Sequence, residues 1–490
     1  MDICRRKFGT GILGAVAGQA FAIPSRPRLF VLDVVEQLRP DHIDSGWPQF
    51  GPDGFRALLE KGAYYPDCRH RASTFSASGI ATLATGAWPS QHGIVADAWY
   101  ERSARRAAAA SGEALLATTL AAQVAAQPRA RVAVAAMNQA HAALFAGTPA
   151  ASVFWMDDNG QFATRGPAPD WLAEYNRTHS AASAHGQPWM ALGAKKDTPP
   201  LRVLSFDAGR PQDFLALYKS SPFGQTALYE FAGELIARER MGQGAAFDFL
   251  CLLDGSTGLL GYQTGGRSPL MQQMVLQLDL RLQTLLGTLA RAAGDAGFSL
   301  ALAAAHGVPP EPPPESRSRM AVSGEAVART IERGIAATFD GHVEKYVYPF
   351  VYLDTTGFRD PEPVRLAAAR AALQHPAVSG AYTAGGACST RGEWEQRFRN
   401  SFHPQRSGDV MLSYRPEYIE DYGAGRGISY GSLYNYDVRV PLCFYGPQFR
   451  AGVFEAPVES VDVAPTLARA LGIAAPSSSE GRVLGEAFAQ

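Results

Sequence analysis

Four apolar runs constrain this chain more than any other feature. They are Leu29 to Val35, Arg131 to Ala135, Phe247 to Leu253 and Phe298 to Ala304. Short, nearly unbroken apolar runs of this kind are expected where a strand is buried on both faces, as in a parallel sheet. Between the last two, Ser268 to Gly294 sets Leu270, Val275, Leu278, Leu282, Leu285 and Leu289 at helical spacing, the inner face of a long helix. Strand, helix and strand then read as a βαβ unit. Gly112 to Gln127 is Ala- and Leu-rich and reads as a further helix. Gly324 to about Val378 reads as peripheral helices and strands, and the Pro-rich Val308 to Ser318 as loop.

The residues that could carry chemistry follow these runs. Glu36-Gln37-Leu38-Arg39 follows the first, and Ala305-His306-Gly307 the last. Open α/β sheets bind ligands outside the carboxyl ends of their strands. Each residue also has a plain reading, Glu36 as a solvated charge and His306 as a structural histidine. A second cluster is Ser73 to Gly79, hydroxyl- and small-residue-rich, which runs into Ile80 to Thr85 as one short helix stopped by Gly86. A hydroxyl beside a helix start either caps it or sits where free N–H groups favour an anion.

Charge and address narrow the classes. The 490 residues are 46% hydrophobic and 19% charged with net charge −1, enough for a large core and without a basic footprint for nucleic acid. The start combines Arg5-Arg6, an apolar run from Gly9 to Gly18 and Ala20-Phe21-Ala22, the layout of a cleavable twin-arginine-like export signal over 1–22. The run is short for a membrane anchor, since a spanning helix needs about 20 residues. The expected location is periplasmic or secreted, with no membrane span after cleavage. Cys68, Cys251, Cys388 and Cys443 are too scattered for a disulfide framework. Cys251 and Cys443 fall in apolar runs and read as buried small hydrophobes.

Ser73 to Tyr100 resembles the nucleophile segment of the alkaline phosphatase superfamily, in the branch of type I phosphodiesterases, nucleotide pyrophosphatases and phosphate-irrepressible alkaline phosphatases. Thr74, Gly79, Ala81, Thr82, Thr85, Gly86, Pro89, His92, Gly93, Ile94 and Trp99 fall in its register without a gap. Further similar stretches carry the resemblance from about Leu29 to Phe488. They include Ser221 to Thr226, Asp248 to Tyr262, Gly427 to Leu442 and Val461 to Ala468, the last a helix with Pro465 in its first turn. The resemblance implies an α/β fold with a mostly parallel central sheet flanked by helices on both faces. It also implies one such domain over 23–490, with cap insertions at about 150–242 and 308–410.

The resemblance also assigns roles, many of them altered here. Ser76 takes the nucleophile position and Asp97 that of a phosphoryl-binding Asn. Asn138 and Ala140 stand where a Lys and an Arg would grip phosphate. Of the ligand positions for two zinc ions, Glu36 and His306 keep a donor. Gly258 (an Asp position), Tyr262 (His), Ala305 (Asp) and Tyr430 (His) do not. Asp254 lies near Gly258 but four positions out of register. Zinc prefers Cys, His or carboxylate ligands, so the expectation is no cofactor, with at most a weak zinc site at Glu36 and His306.

The leading reading is therefore an exported, catalytically degenerate member with an unidentified small-molecule or phosphoester ligand. One alternative is a phosphoester hydrolase using Ser76 with a substituted or single metal. The other is a metal-free hydrolase with Ser76, His306 and a carboxylate from Glu36 or Asp97. Ser76-Ala77-Ser78-Gly79-Ile80 lacks the pattern a sulfatase needs.

Overall fold

The computed structural model describes residues 26–205, 209–310, 320–416, 418–421 and 430–489. The export-signal residues 1–22, Gly427–Ser429 and Glu311–Ser318 of the Pro-rich stretch lie outside the described residues. The apolar runs form the middle of the central sheet. Leu29–Val35 lies between Asp248–Asp254 and Phe298–Ala303, parallel to both, and Arg131–Ala136 and Ser152–Met156 extend the parallel set. All seven residues of Leu29–Val35 and of Asp248–Asp254 are buried, so helices and loops cover both faces. Arg439–Tyr445 joins antiparallel to Phe298–Ala303 and carries Ala63–Arg69 on its other edge. Cys251 and Cys443 are buried, and the four described cysteines are free thiols.

Several expectations shift by a few residues for visible reasons. The long helix is Pro269–Ala293, capped by Ser268, whose hydroxyl accepts from Met271 N–H. The helix expected over Gly112–Gln127 is only Leu120–Ala125. Thr119 caps it by accepting from Ala122 N–H, and Gly112–Ala114 is a separate 3₁₀ turn capped by Ser111. The closing helix is Val463–Ala470, with Pro465 near its start.

Parts of the stretch 150–242 belong to the central sheet. Ser152–Met156 and Phe162–Thr164 form its edge. The helix Pro222–Arg238 lies against it, with Tyr229 donating to Asp33 on the first strand at 2.8 Å. From the stretch 308–410 and a little beyond it, to Tyr414, a second layer forms. Val343–Val347, Phe350–Leu353, Val410–Tyr414 and Val378–Thr383 make an antiparallel sheet in that order. The helices Gly324–Ala336 and Glu362–Ala372 pack on each other and on this sheet. Among the described residues no helix is long and apolar enough to cross a membrane.

Candidate active site

The carboxyl ends of the central strands and the start of the helix Ser76–Thr85 meet at one point. Parallel pairing sets Val35 opposite Asp254, and Glu36 N–H continues the ladder to Asp254 O at 3.0 Å. Glu36 therefore leaves the sheet at its carboxyl edge. His306 does so three residues after the strand Phe298–Ala303. Ser76 is the first residue of its helix, with Phe75 at the cap position, so its hydroxyl is not a cap. Gly86 ends that helix in the left-handed region at φ 70°. Gly79 is needed because a β-carbon there would come within 2.0 Å of the Ala305 carbonyl oxygen.

Ser76 Oγ lies 2.9 Å from His306 Nε2 and 2.9 Å from Glu36 Oε2. All three residues are buried. His306 Nδ1 stands 2.6 Å from the Gly307 carbonyl oxygen. That oxygen only accepts, which assigns the proton to Nδ1 and leaves Nε2 of the neutral ring as an acceptor. Burial pushes the His306 imidazole below its ordinary range, against the opposing pull of the Glu36 charge. The serine hydroxyl thus has one proton and two acceptors competing for it.

A third partner was not singled out in the sequence. His141 Nδ1 lies 3.0 Å from Glu36 Oε1. Burial raises the Glu36 carboxyl, but His141, His306 and the Ser76 hydroxyl together outweigh it and hold the group below its usual range. Burial likewise lowers His141, yet the charges of Glu36 and then Asp97 hold its imidazole above the ordinary value. The two make an ion-pair contact in which each shift favours the charged form. Asn138 positions it. Its Oδ1 accepts from His141 N–H at 2.8 Å as the cap of the helix Gln139–Ala146. The position expected to have lost a phosphate-gripping cation thus serves as a cap, while Ala140 is exposed on the same helix. An Asn cap three residues ahead of a histidine, just after a strand end, was the available signal.

Asp97 occupies the mouth of the helix. Its Oδ1 accepts from Ala77 N–H at 2.9 Å and its Oδ2 from Tyr430 OH at 3.1 Å. Ala77 N–H is among the first amides of the helix, which have no partner within it and attract anions. Here the chain supplies the anion itself. The Tyr430 ring stacks on His306 with centroids 4.7 Å apart. Tyr262, on the helix Ser256–Thr264, faces the same cleft as Tyr430. Asp254 is wholly buried. It accepts from Gln225 Nε2 at 2.8 Å and Ser256 N–H at 2.9 Å, and burial pushes its carboxyl up to about 6.

The structure thus brings Ser76, Glu36, Asp97, His306 and Tyr430 together, with Gly258 against Glu36 and Ala305 beneath Gly79. The donor set does not fit two zinc ions. Gly258 and Ala305 offer no side-chain ligand, and Tyr262 and Tyr430 offer phenols, of which Tyr430 already donates to Asp97. Glu36 is held by Ser76 and His141. Among the described residues no group of three or more His, Cys, Asp or Glu side chains is arranged to hold a metal ion.

Relatives of known identity bear on the fold and family. The chain is 24% identical to alkaline phosphatase PafA of Elizabethkingia meningoseptica over 97% of each chain. It is 27% identical to alkaline phosphatase PhoK of Sphingomonas sp over 94% of this chain and 91% of that protein. The crystal structure of PafA superposes with a TM-score of 0.83 at 22% identity, covering 96% of this chain and all of that one. Murine ectonucleotide pyrophosphatase/phosphodiesterase 5 superposes with a TM-score of 0.57 at 15% identity over 92% of this chain. The alkaline-phosphatase-like α/β fold is therefore present. Residues 31–425 match the model of one family, and the chain belongs to it: the type I phosphodiesterase / nucleotide pyrophosphatase family.

Proposed function

We propose that this chain is an exported member of that phosphoester-hydrolase family which has given up two-metal phosphoryl transfer and uses the old site to bind a ligand without hydrolysing it. One observation carries this reading: the two donors a phosphoryl group would need are taken by the protein's own carboxylates. Asp97 sits on Ala77 N–H and Glu36 on the Ser76 hydroxyl. A phosphate arriving there would meet two carboxylates, and the positions that would offset them hold Asn138 and Ala140. Paired cations and oriented donors supply most phosphate recognition. The His141 imidazole is already paired with Glu36.

The test is turnover of 4-nitrophenyl phosphate and bis(4-nitrophenyl) phosphate by the purified mature protein, with and without stoichiometric zinc. Rates indistinguishable from those of Ser76→Ala are expected. Zinc-dependent turnover that Ser76→Ala abolishes would overturn the proposal and restore the family's chemistry.

The 2.9 Å contact between Ser76 Oγ and His306 Nε2 favours a second reading, a metal-free hydrolase of uncharged esters in which His306 takes the serine proton. Gly307 O would orient the imidazole in the place a carboxylate takes in a triad. Fluorophosphonate labelling of Ser76 that His306→Ala abolishes would support it. Labelling independent of His306 would remove it.

A further inference from the structure

Two carboxylates lie buried in the sheet below Glu36 with no positive partner. Parallel register sets Asp33 opposite Leu252 and Val35 opposite Asp254. Side chains alternate along a strand, so Asp33 and Asp254 project from the same face, diagonally adjacent on neighbouring strands. Both are fully buried. Among the described residues no Lys, Arg or His makes an ion pair with either. Arg281, on the helix Pro269–Ala293, acts on Tyr229 instead.

The helix Pro222–Arg238 covers this face and presents Gln225 and Tyr229 one turn apart. Tyr229 OH donates to Asp33 Oδ2 and Gln225 Nε2 to Asp254 Oδ2, each at 2.8 Å. Ser256 N–H donates to Asp254 Oδ1 at 2.9 Å, and the Ser256 hydroxyl stands beside the same carboxylate. The chain supplies no further donor. Asp33 Oδ1 and Gln225 Oε1 are buried without a partner. Gln225 is itself fully buried, and its Nε2 bond to Asp254 brings the Oε1 of the same amide to the acid pair.

A buried acceptor without a donor costs free energy, and a buried charge without a partner costs more. Carboxylate, amide carbonyl and hydroxyl oxygens are the ligands that hard cations take. Asp254 already accepts two hydrogen bonds and Asp33 only one, so about one negative charge is left to offset. With two carboxylates and neither histidine nor thiolate, the set does not suit zinc.

We propose that Asp33, Asp254, Gln225 and Ser256 form a buried site for a monovalent alkali cation, sodium or potassium, held by Asp33 Oδ1 and Gln225 Oε1. In buffer free of both ions a proton takes the place on Asp33, since burial and then Asp254 push its carboxyl up to about 8. The ion orders the strand end that carries Glu36. Glu36 N–H bonds Asp254 O at 3.0 Å, and Thr257 Oγ1 donates to Glu36 O at 2.5 Å.

The test is the thermal midpoint of the purified protein above pH 8 in sodium, potassium and N-methyl-D-glucamine chloride at equal ionic strength. The midpoint is expected to be higher in sodium or potassium than in N-methyl-D-glucamine by about 2 °C or more. Asp33→Asn keeps an oxygen for Tyr229 and removes the charge, so it should erase that difference while its circular dichroism spectrum stays unchanged. Crystals of the wild type soaked in rubidium chloride give a second readout, an anomalous peak beside Asp33 Oδ1 and Gln225 Oε1. Equal midpoints in the three salts would overturn the proposal. Cation dependence that persists in Asp33→Asn, or a rubidium soak without that peak, would do the same. Neither readout involves turnover or a ligand at Ser76, so the functional reading stands or falls separately.

Discussion

A β-carbon on Gly258 would stand 2.7 Å from Oε2 of Glu36 and 2.9 Å from its Cβ. The extra methylene of Glu36, relative to the aspartate of the resemblance, reaches into the space that a bare glycine leaves. Two departures that look independent along the chain are thus one spatial exchange. Glu36 comes to Ser76 and His141 because nothing projects from Gly258 to stop it.

This coupling predicts that Gly258→Ala destabilises the protein by about 1–3 kcal/mol through overpacking, seen as a lower thermal midpoint. Combining it with Glu36→Asp should recover part of that loss, because the shorter side chain withdraws. Strict additivity of the two changes would show that the residues do not share the space.

Glu36→Gln removes the charge that raises the His141 imidazole. Burial then acts unopposed by Glu36, and the His141 imidazole should fall from above its ordinary value of 6.5 to below it. The folded value is raised in the wild type, so the stabilisation is complete below pH 6.5 and fades as pH climbs through the folded value. The Glu36 carboxyl is lowered, so its share is present above 4.5 and is lost as pH falls through its folded value. Imidazole carbon-bound proton shifts followed against pH report the first effect directly. An unmoved His141 titration in Glu36→Gln would contradict the pairing.

Asp33 makes stability fall with rising pH. It is fully buried beside Asp254, and burial, then that neighbour, push its carboxyl up to about 8 despite the hydrogen bond from Tyr229. Between pH 3.8 and about 8 the folded chain holds a proton that the unfolded chain has lost. The unfolding free energy therefore drops there by up to about 1.4 kcal/mol per pH unit from this group. Asp33→Asn, close in shape to the protonated acid, should flatten that slope in urea titrations run from pH 5 to 8. An unchanged slope would mean that Asp33 is ionised in the folded protein.

Asp97→Asn keeps an oxygen for Ala77 N–H and removes the charge from the helix start. Stability should change by no more than about 1 kcal/mol, while inorganic phosphate, which the wild type is expected to reject, should bind measurably by calorimetry. Equal phosphate affinity in the two proteins would show that Asp97 does not guard the site.

The sequence by itself determined the sheet. Near-continuous apolar runs such as Leu29–Val35 fit a strand buried on both faces, and the structure buries every residue of it. It also determined where Ser76 stands, because small residues such as Gly79 are required for the helix start to pack on the Ala305 backbone. Boundaries were less legible where side-chain caps decide them, as at Thr119. The resemblance grouped Ser76, His306 and Glu36, which the structure brings together, but the further partners within the site were not legible. His141 is separated from Glu36 by 105 residues of chain, and Asp97 from Tyr430 by 333, so no local spacing links them. Only tertiary structure decided that Glu36 would fill the space over Gly258, that His141 would pair with it, and that Tyr430 would stack on His306. Local pattern reports which face of an element is buried. The pairing of charges inside a cleft depends on distances between elements that the chain brings together only when it folds.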